Sequence, residues 1–145
     1  TRPMTKSIGC LPDVNVWLAL ASRRHAHASR AARWMDSLSG TACFCRVTQA
    51  ALLRLLTNPA VMGAEVLDAS RAWSVYDQIR SDSRVEFVRE PVGLESEWRR
   101  LTGGGPASPA NWTGSYLLAF ALAGHLQLVT FDSALARRDP SAVLL

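Results

Sequence analysis

"IGCLPDVNVWLALASR", residues 8–23, joins a short apolar run to a stretch with helical spacing, and a single carboxylate, Asp13, stands at the junction. That pattern predicts a strand running straight into a helix, with Asp13 at the strand's C-terminal end. Residues 126–132, "LQLVTFD", repeat the arrangement: a buried strand that closes on Asp132. Parallel strands present their C-terminal ends on one edge of a sheet, so the two carboxylates converge if these strands are neighbours.

Outward from these junctions the chain alternates between strand and helix patterns. "HAHASRAARWMDSLSG" (25–40) has helical intervals at Ala28, Ala31, Ala32, Met35 and Leu38 and stops at Gly40. "TACFCRV" (41–47) predicts a strand, and "TQAALLRLLTNP" (48–59) a helix closed by the Asn58–Pro59 breaker. A further helix is expected over residues 64–80, then a strand in "VEFVRE" (85–90), a short helix in "VGLESEWRRL" (92–101) and a loop in "TGGGPASPAN" (102–111). "NWTGSYLLAFALAG" (111–124) predicts a helix, and "SAVLL" (141–145) a last strand. Alternation of this kind implies an α/β fold with a mostly parallel sheet of four to five strands and helices on both faces.

The chain has 145 residues, 48% of them apolar and 19% charged, which fits one self-folding domain spanning 1–145. Residues 1–7 read as a frayed or vector-derived start. No run reaches the ~18 apolar residues of a membrane span, and "TRPMTKSIG" lacks the apolar core of a secretory signal, so a cytoplasmic location is expected with no membrane partner. Cys10, Cys43 and Cys45 read as buried reduced thiols, since no second cysteine or histidine pair is spaced for zinc. A net charge of +4 suits a polyanionic partner, though charge alone does not identify one.

Converging carboxylates repel unless a cation intervenes, and Mg²⁺ or Mn²⁺ prefers oxygen ligands together with substrate phosphates. Phosphodiester hydrolysis is the chemistry such a pair would serve. Aspartates at strand ends also cap helices, and both Asp13 and Asp132 stand just before helical pattern, so a purely structural reading competes. A nucleotide-binding Rossmann domain shares the sheet but requires a G-x-G-x-x-G after the first strand, which is absent.

The succession "LPDVNVWLALA", a histidine, a tryptophan, "ALLRLLTNP" and "YLLAFALAGHLQLVTFD" resembles the PIN domain of VapC-type toxins, ribonucleases of toxin–antitoxin operons. The resemblance runs from about residue 10 to 135. It implies a three-layer PIN-like fold, Mg²⁺- or Mn²⁺-dependent cleavage of RNA, a cognate VapB-like antitoxin and a homodimer. It makes Asp13 the first family acid, with Asn15 as its small polar neighbour, and Asp132 the closing acid, with Thr130 as companion hydroxyl. These two aspartates are thereby the implied catalytic and metal-binding residues. The other two acids of the family pattern fall on Ala51 and Gly114, with Thr48 and Gln49 as polar neighbours of the first gap.

Gly114 therefore has three readings: an ordinary first-turn glycine, a natural loss of an acid, or an attenuating change in a toxic nuclease. The two function hypotheses follow from it. One is a metal-dependent endoribonuclease weakened at two acidic positions, and the other a PIN-fold module that binds RNA or antitoxin without cutting. Arg23, Arg24, Arg30 and Arg33 form either a solvated face or a track for RNA phosphates. His25 and His27 are expected on the first turn of a helix, two apart and on different faces. Trp17, Trp34, Trp73 and Trp98 are expected in the core, with Trp112 the candidate for base stacking. Arg54 points either inward to a buried acid or outward to solvent.

Overall fold

A computed structural model describes residues 8–106 and 111–145, so the expected frayed start and part of the 102–111 loop lie outside the described residues. Five strands form one wholly parallel sheet in the order β3-β2-β1-β4-β5. They are β1 (Cys10–Pro12), β2 (Ala42–Phe44), β3 (Val85–Phe87), β4 (Gln127–Thr130) and β5 (Val143–Leu144). β1 and β4 are neighbours, with Cys10, Leu11 and Pro12 in register with Gln127, Leu128 and Val129. The convergence expected of the two aspartate-terminated strands is thereby met.

The period-two alternation of side chains divides the strands between two apolar layers. Leu11 and Leu128 face a cluster with Leu94 of α6 (Leu94–Thr102) and with Leu117, Leu118 and Phe120 of α7 (Asn111–Gly124). Ala42, Phe44 and Val85 face the opposite layer. That layer is built from α1 (Val14–Ala21), α2 (Ala28–Ser37), α3 (Arg46–Leu56) and α5 (Ala69–Arg80). Its centre is Trp17, fully buried and stacked on Phe44 with ring centroids 3.8 Å apart.

Several boundaries differ from expectation for local reasons. Pro59, unable to continue α3, instead opens α4 (Pro59–Met62), because Asn58 caps the Ala60 N–H and proline suits a first helical position. The helix expected from residue 64 begins only at Ala69, where the Asp68 carboxylate accepts the Arg71 N–H. α8 (Ser133–Ala136) is a single turn capped by Asp132. Trp73 is an exception to the expected core role: it is 48% exposed and lies edge-on to Tyr76. Arg54 is exposed on α3, which settles it toward solvent. All three cysteines are buried and free, as expected of reduced thiols.

Candidate active site at the carboxyl edge of the sheet

Asp13 and Asp132 meet through one hydroxyl. Thr130, fully buried at the end of β4, donates its O–H to Asp13 Oδ2 at 3.2 Å and accepts the Asp132 backbone N–H at 3.0 Å. The Asp13 N–H in turn donates to the Val129 carbonyl at 2.8 Å, which carries the β1–β4 ladder up to the carboxylate.

Both aspartates are also caps, so the structural reading of the sequence and the functional one coexist. Asp13 Oδ1 accepts the Val14 N–H at 2.7 Å at the start of α1. Asp132 Oδ1 accepts the N–H groups of Ala134 and Leu135 at 2.9 and 3.1 Å. A carboxylate oxygen has two lone-pair directions, so capping leaves each group able to take a cation as well. Among the described residues no side chain or amide donates to Asp132 Oδ2.

Burial pushes the Asp13 carboxyl above its ordinary pKa; the Val14 and Thr130 hydrogen bonds oppose this, and the Asp132 charge adds to it. No lysine or arginine pairs with either carboxylate among the salt bridges of the described residues. Two hard oxygen donors, close together and without a cationic partner, fit a divalent ion such as Mg²⁺ or Mn²⁺. They supply a small donor set: no group of three or more His, Cys, Asp or Glu suited to a metal occurs among the described residues.

The two positions where the family resemblance places further acids are occupied by Gly114 and Ala51. Gly114 sits in the first turn of α7, and a β-carbon built on it would lie 3.5 and 3.9 Å from the two Leu135 methyls, in ordinary contact. Leu135 belongs to the turn that Asp132 caps, so Gly114 borders the same edge and has room for a β-carbon. Ala51 lies half-buried on α3. The polar neighbours suggested for that gap are engaged elsewhere: the Thr48 hydroxyl closes a capping box with Cys45, and Gln49 Oε1 accepts from Arg46 at 2.6 Å. Asn15 is exposed on the first turn of α1.

The histidines correct the sequence reading. α2 starts at Ala28, so His25 and His27 precede it and belong to the loop after α1. There the His27 N–H donates to His25 Nδ1 at 3.0 Å, and the two rings lie 5.7 Å apart, half-buried. They are thus together, where first-turn helical positions would have separated them. His27 stacks on Phe131, between Thr130 and Asp132, at a centroid distance of 4.5 Å. Phe131 is the site-edge residue that the sequence reading missed, although its place between two assigned positions marks it.

Of the four arginines, Arg30 borders this edge, with its guanidinium 5.6 Å over the Phe131 ring and a hydrogen bond to His27 Nδ1. Arg24 is paired with Glu65 at 3.1 Å, and Arg23 and Arg33 are exposed. Trp112 is 55% exposed, two residues before Gly114, and packs edge-on against Trp98.

Comparison with known proteins bears on the family and the fold. The PIN domain family model matches residues 10–139. Ribonuclease VapC41 of Mycobacterium tuberculosis is 42% identical over 130 residues, covering 86% of this chain and 89% of the relative. Ribonuclease VapC38 of the same organism is 31% identical, over 90% and 92% of the two chains. Among solved structures, VapBC2 from Rickettsia felis, bound to a DNA fragment from its promoter, superposes with a TM-score of 0.67 at 14% identity, covering 95% of this chain and 98% of that one. The M. tuberculosis toxin VapC20, described as cleaving the sarcin–ricin loop, gives a TM-score of 0.63 at 18% identity, covering 89% and 94%. The chain belongs to the PIN-domain family and is a homologue of the VapC ribonuclease toxins.

Proposed function

We propose that this chain is the toxin of a VapBC-type toxin–antitoxin pair, an endoribonuclease that hydrolyses RNA phosphodiesters with Mg²⁺ or Mn²⁺. The observation that carries the reading is the Thr130-linked pair of Asp13 and Asp132 on adjacent parallel strands, in a chain 42% identical to a VapC ribonuclease. Asp13 and Asp132 would hold the ion, and Thr130 would keep the Asp13 carboxylate oriented toward it. When bound, the ion supplies Lewis acidity at the scissile phosphate and lowers the pKa of water for in-line attack. The caps at Val14, Ala134 and Leu135 fix both carboxylates on rigid helix starts. A cognate VapB-like antitoxin, a homodimeric state and action in the cytoplasm, where such RNA is found, belong to the same reading.

A second reading has its own support: with Gly114 and Ala51 in acidic positions of the family pattern, no third carboxylate completes the cluster among the described residues. The chain would then keep RNA or antitoxin binding without cutting. One experiment separates the two. Structured RNA is incubated with Mn²⁺ and the parent protein, Asp13→Asn or Gly114→Asp. The nuclease reading expects cleavage by the parent that Asp13→Asn abolishes and Gly114→Asp accelerates, with less Mn²⁺ required because ligand charge sets affinity. A parent that is inert until Gly114→Asp restores cutting supports the binding module. Parent cleavage that survives Asp13→Asn overturns the metal-assisted reading.

A further inference from the structure

Beside the carboxylate pair lies a cluster that metal binding does not require. Phe131 is flanked by His27 at 4.5 Å and 24° between planes, and by His25 at 6.4 Å and 25°. Arg30 reaches over the same phenyl ring at 5.6 Å. Three rings and a guanidinium are thus gathered at the one residue that joins Thr130 to Asp132.

Hydrogen bonds, more than apolar packing, hold this group in order. His25 Nδ1 accepts the His27 amide, which leaves the His25 proton on Nε2. His27 Nδ1 is hydrogen-bonded to the Arg30 guanidinium. These two bonds fix both imidazoles in orientation. All three rings are half-buried, and Phe131 packs against the fully buried Val16 and Val129. Phe131 thus packs against the apolar cluster of Cys10, Val16 and Val129 and also against two imidazoles and a guanidinium, and stays half-buried.

We infer that Phe131 and His27, steadied by His25 and Arg30, form a stacking shelf for an RNA base next to the scissile phosphate. Single-stranded RNA is held by planar side chains that take the π-face of a splayed base while a cation takes the phosphate. Arg30 can serve both roles from one position, since a guanidinium stacks and pairs with phosphate. A protein partner is less suited: the cluster presents planar polar edges beside two carboxylates that already call for a cation and a phosphate. This inference rests on the nuclease reading above.

The test compares two single-stranded RNA probes with equal phosphate charge, an adenine hexamer and the same hexamer backbone without bases, in EDTA so that neither is cut. The parent is expected to bind the base-bearing hexamer about tenfold more tightly, the scale of one stacked base. His27→Ala and Phe131→Leu should each erase most of that difference while leaving affinity for the baseless strand unchanged. Phe131→Tyr should retain it, and a 2-aminopurine hexamer should lose fluorescence on binding the parent but not Phe131→Leu. Equal affinity of the parent for the two strands overturns the shelf and leaves the nuclease reading standing. A parent that binds neither strand in EDTA also overturns the shelf, and the Mn²⁺ cleavage assay above then decides the nuclease reading separately. Variants that bind both hexamers as the parent does, yet lose a co-expressed antitoxin, assign the cluster to a protein partner and overturn the inference.

Discussion

On the nuclease reading Asp13 must stay charged to hold a cation, in a position that disfavours charge. Its carboxyl is pushed above the ordinary value by burial and by Asp132, against the pull of its two hydrogen bonds. A carboxylic acid whose pKa is higher in the folded than in the unfolded chain binds its proton more tightly when folded. Its contribution is therefore fully present below the unfolded value and is lost as pH rises through the folded one. Asn caps helices as well as Asp, can accept the Val14 N–H through its oxygen and can donate to the Thr130 oxygen through its amide. Asp13→Asn is accordingly expected to stabilise the metal-free protein at pH 7 by on the order of 1 kcal/mol, the scale of relieving one functional-site cost. The gain should shrink toward zero as pH falls below the ordinary aspartate range. Urea unfolding of both proteins in EDTA at neutral and acid pH measures it, and a destabilised Asn variant at pH 7 would contradict the argument. On the nuclease reading the same substitution removes metal-dependent cleavage, so stability and activity should move in opposite directions.

Two connections between elements make comparable predictions. Gly93 precedes α6 with φ of 91°, and although a β-carbon there would meet nothing within 4 Å, the left-handed backbone itself penalises one. Gly93→Ala is expected to cost about 1–2 kcal/mol of stability, read by denaturant titration, with RNA cleavage at saturating Mn²⁺ unchanged. Arg84, just before β3, donates to the Met35 and Leu38 carbonyls at 2.6 and 3.2 Å and pairs with Asp82 at 2.8 Å, tying the end of α2 to the sheet. The Arg84 hydrogen bonds hold the Asp82 carboxyl down at about 2. A depressed carboxylate stabilises above its unfolded pKa and loses that contribution as pH falls through the folded one. Stability should thus decline between about pH 4 and pH 2, and Arg84→Ala should flatten that acid limb in thermal melts. Such ties explain what the sequence could and could not disclose. β1 and β4 were legible because an apolar run ending in aspartate has few other uses in an α/β chain. The start of α2 was not, because Ala-rich spacing extends back through His25 and His27, and only the bond from the His27 amide to His25 Nδ1 ends it. Asp68 would have marked the start of α5 had its capping position been weighed above the apolar period. At the site, two acids and a threonine were readable from their places at strand ends, whereas the Phe131 cluster depends on a loop folding back over β4.

Over the whole molecule, a wholly parallel sheet gathers strand ends on one edge, and this edge carries an acidic pair in a chain whose net charge is +4. Two carboxylates repel an RNA phosphate, so on the nuclease reading approach must be driven by a bound ion and by the cations around them. The nearest cations on the α1–α2 side do not count equally. Arg24 is committed to Glu65, while Arg23, Arg30 and Arg33 are exposed and absent from the salt bridges of the described residues. If these three contact phosphates, counterion release predicts that log affinity for single-stranded RNA falls against log salt with a slope of about −2, roughly 0.7 for each phosphate neutralised. Arg30→Ala should make the slope shallower by about 0.7. Arg24→Ala should leave the slope nearly unchanged, because that guanidinium is already paired. Binding measured in EDTA across a series of potassium chloride concentrations gives all three slopes. Equal changes for Arg24→Ala and Arg30→Ala would show that the basic residues act as a diffuse field, with no track leading to the carboxylate edge.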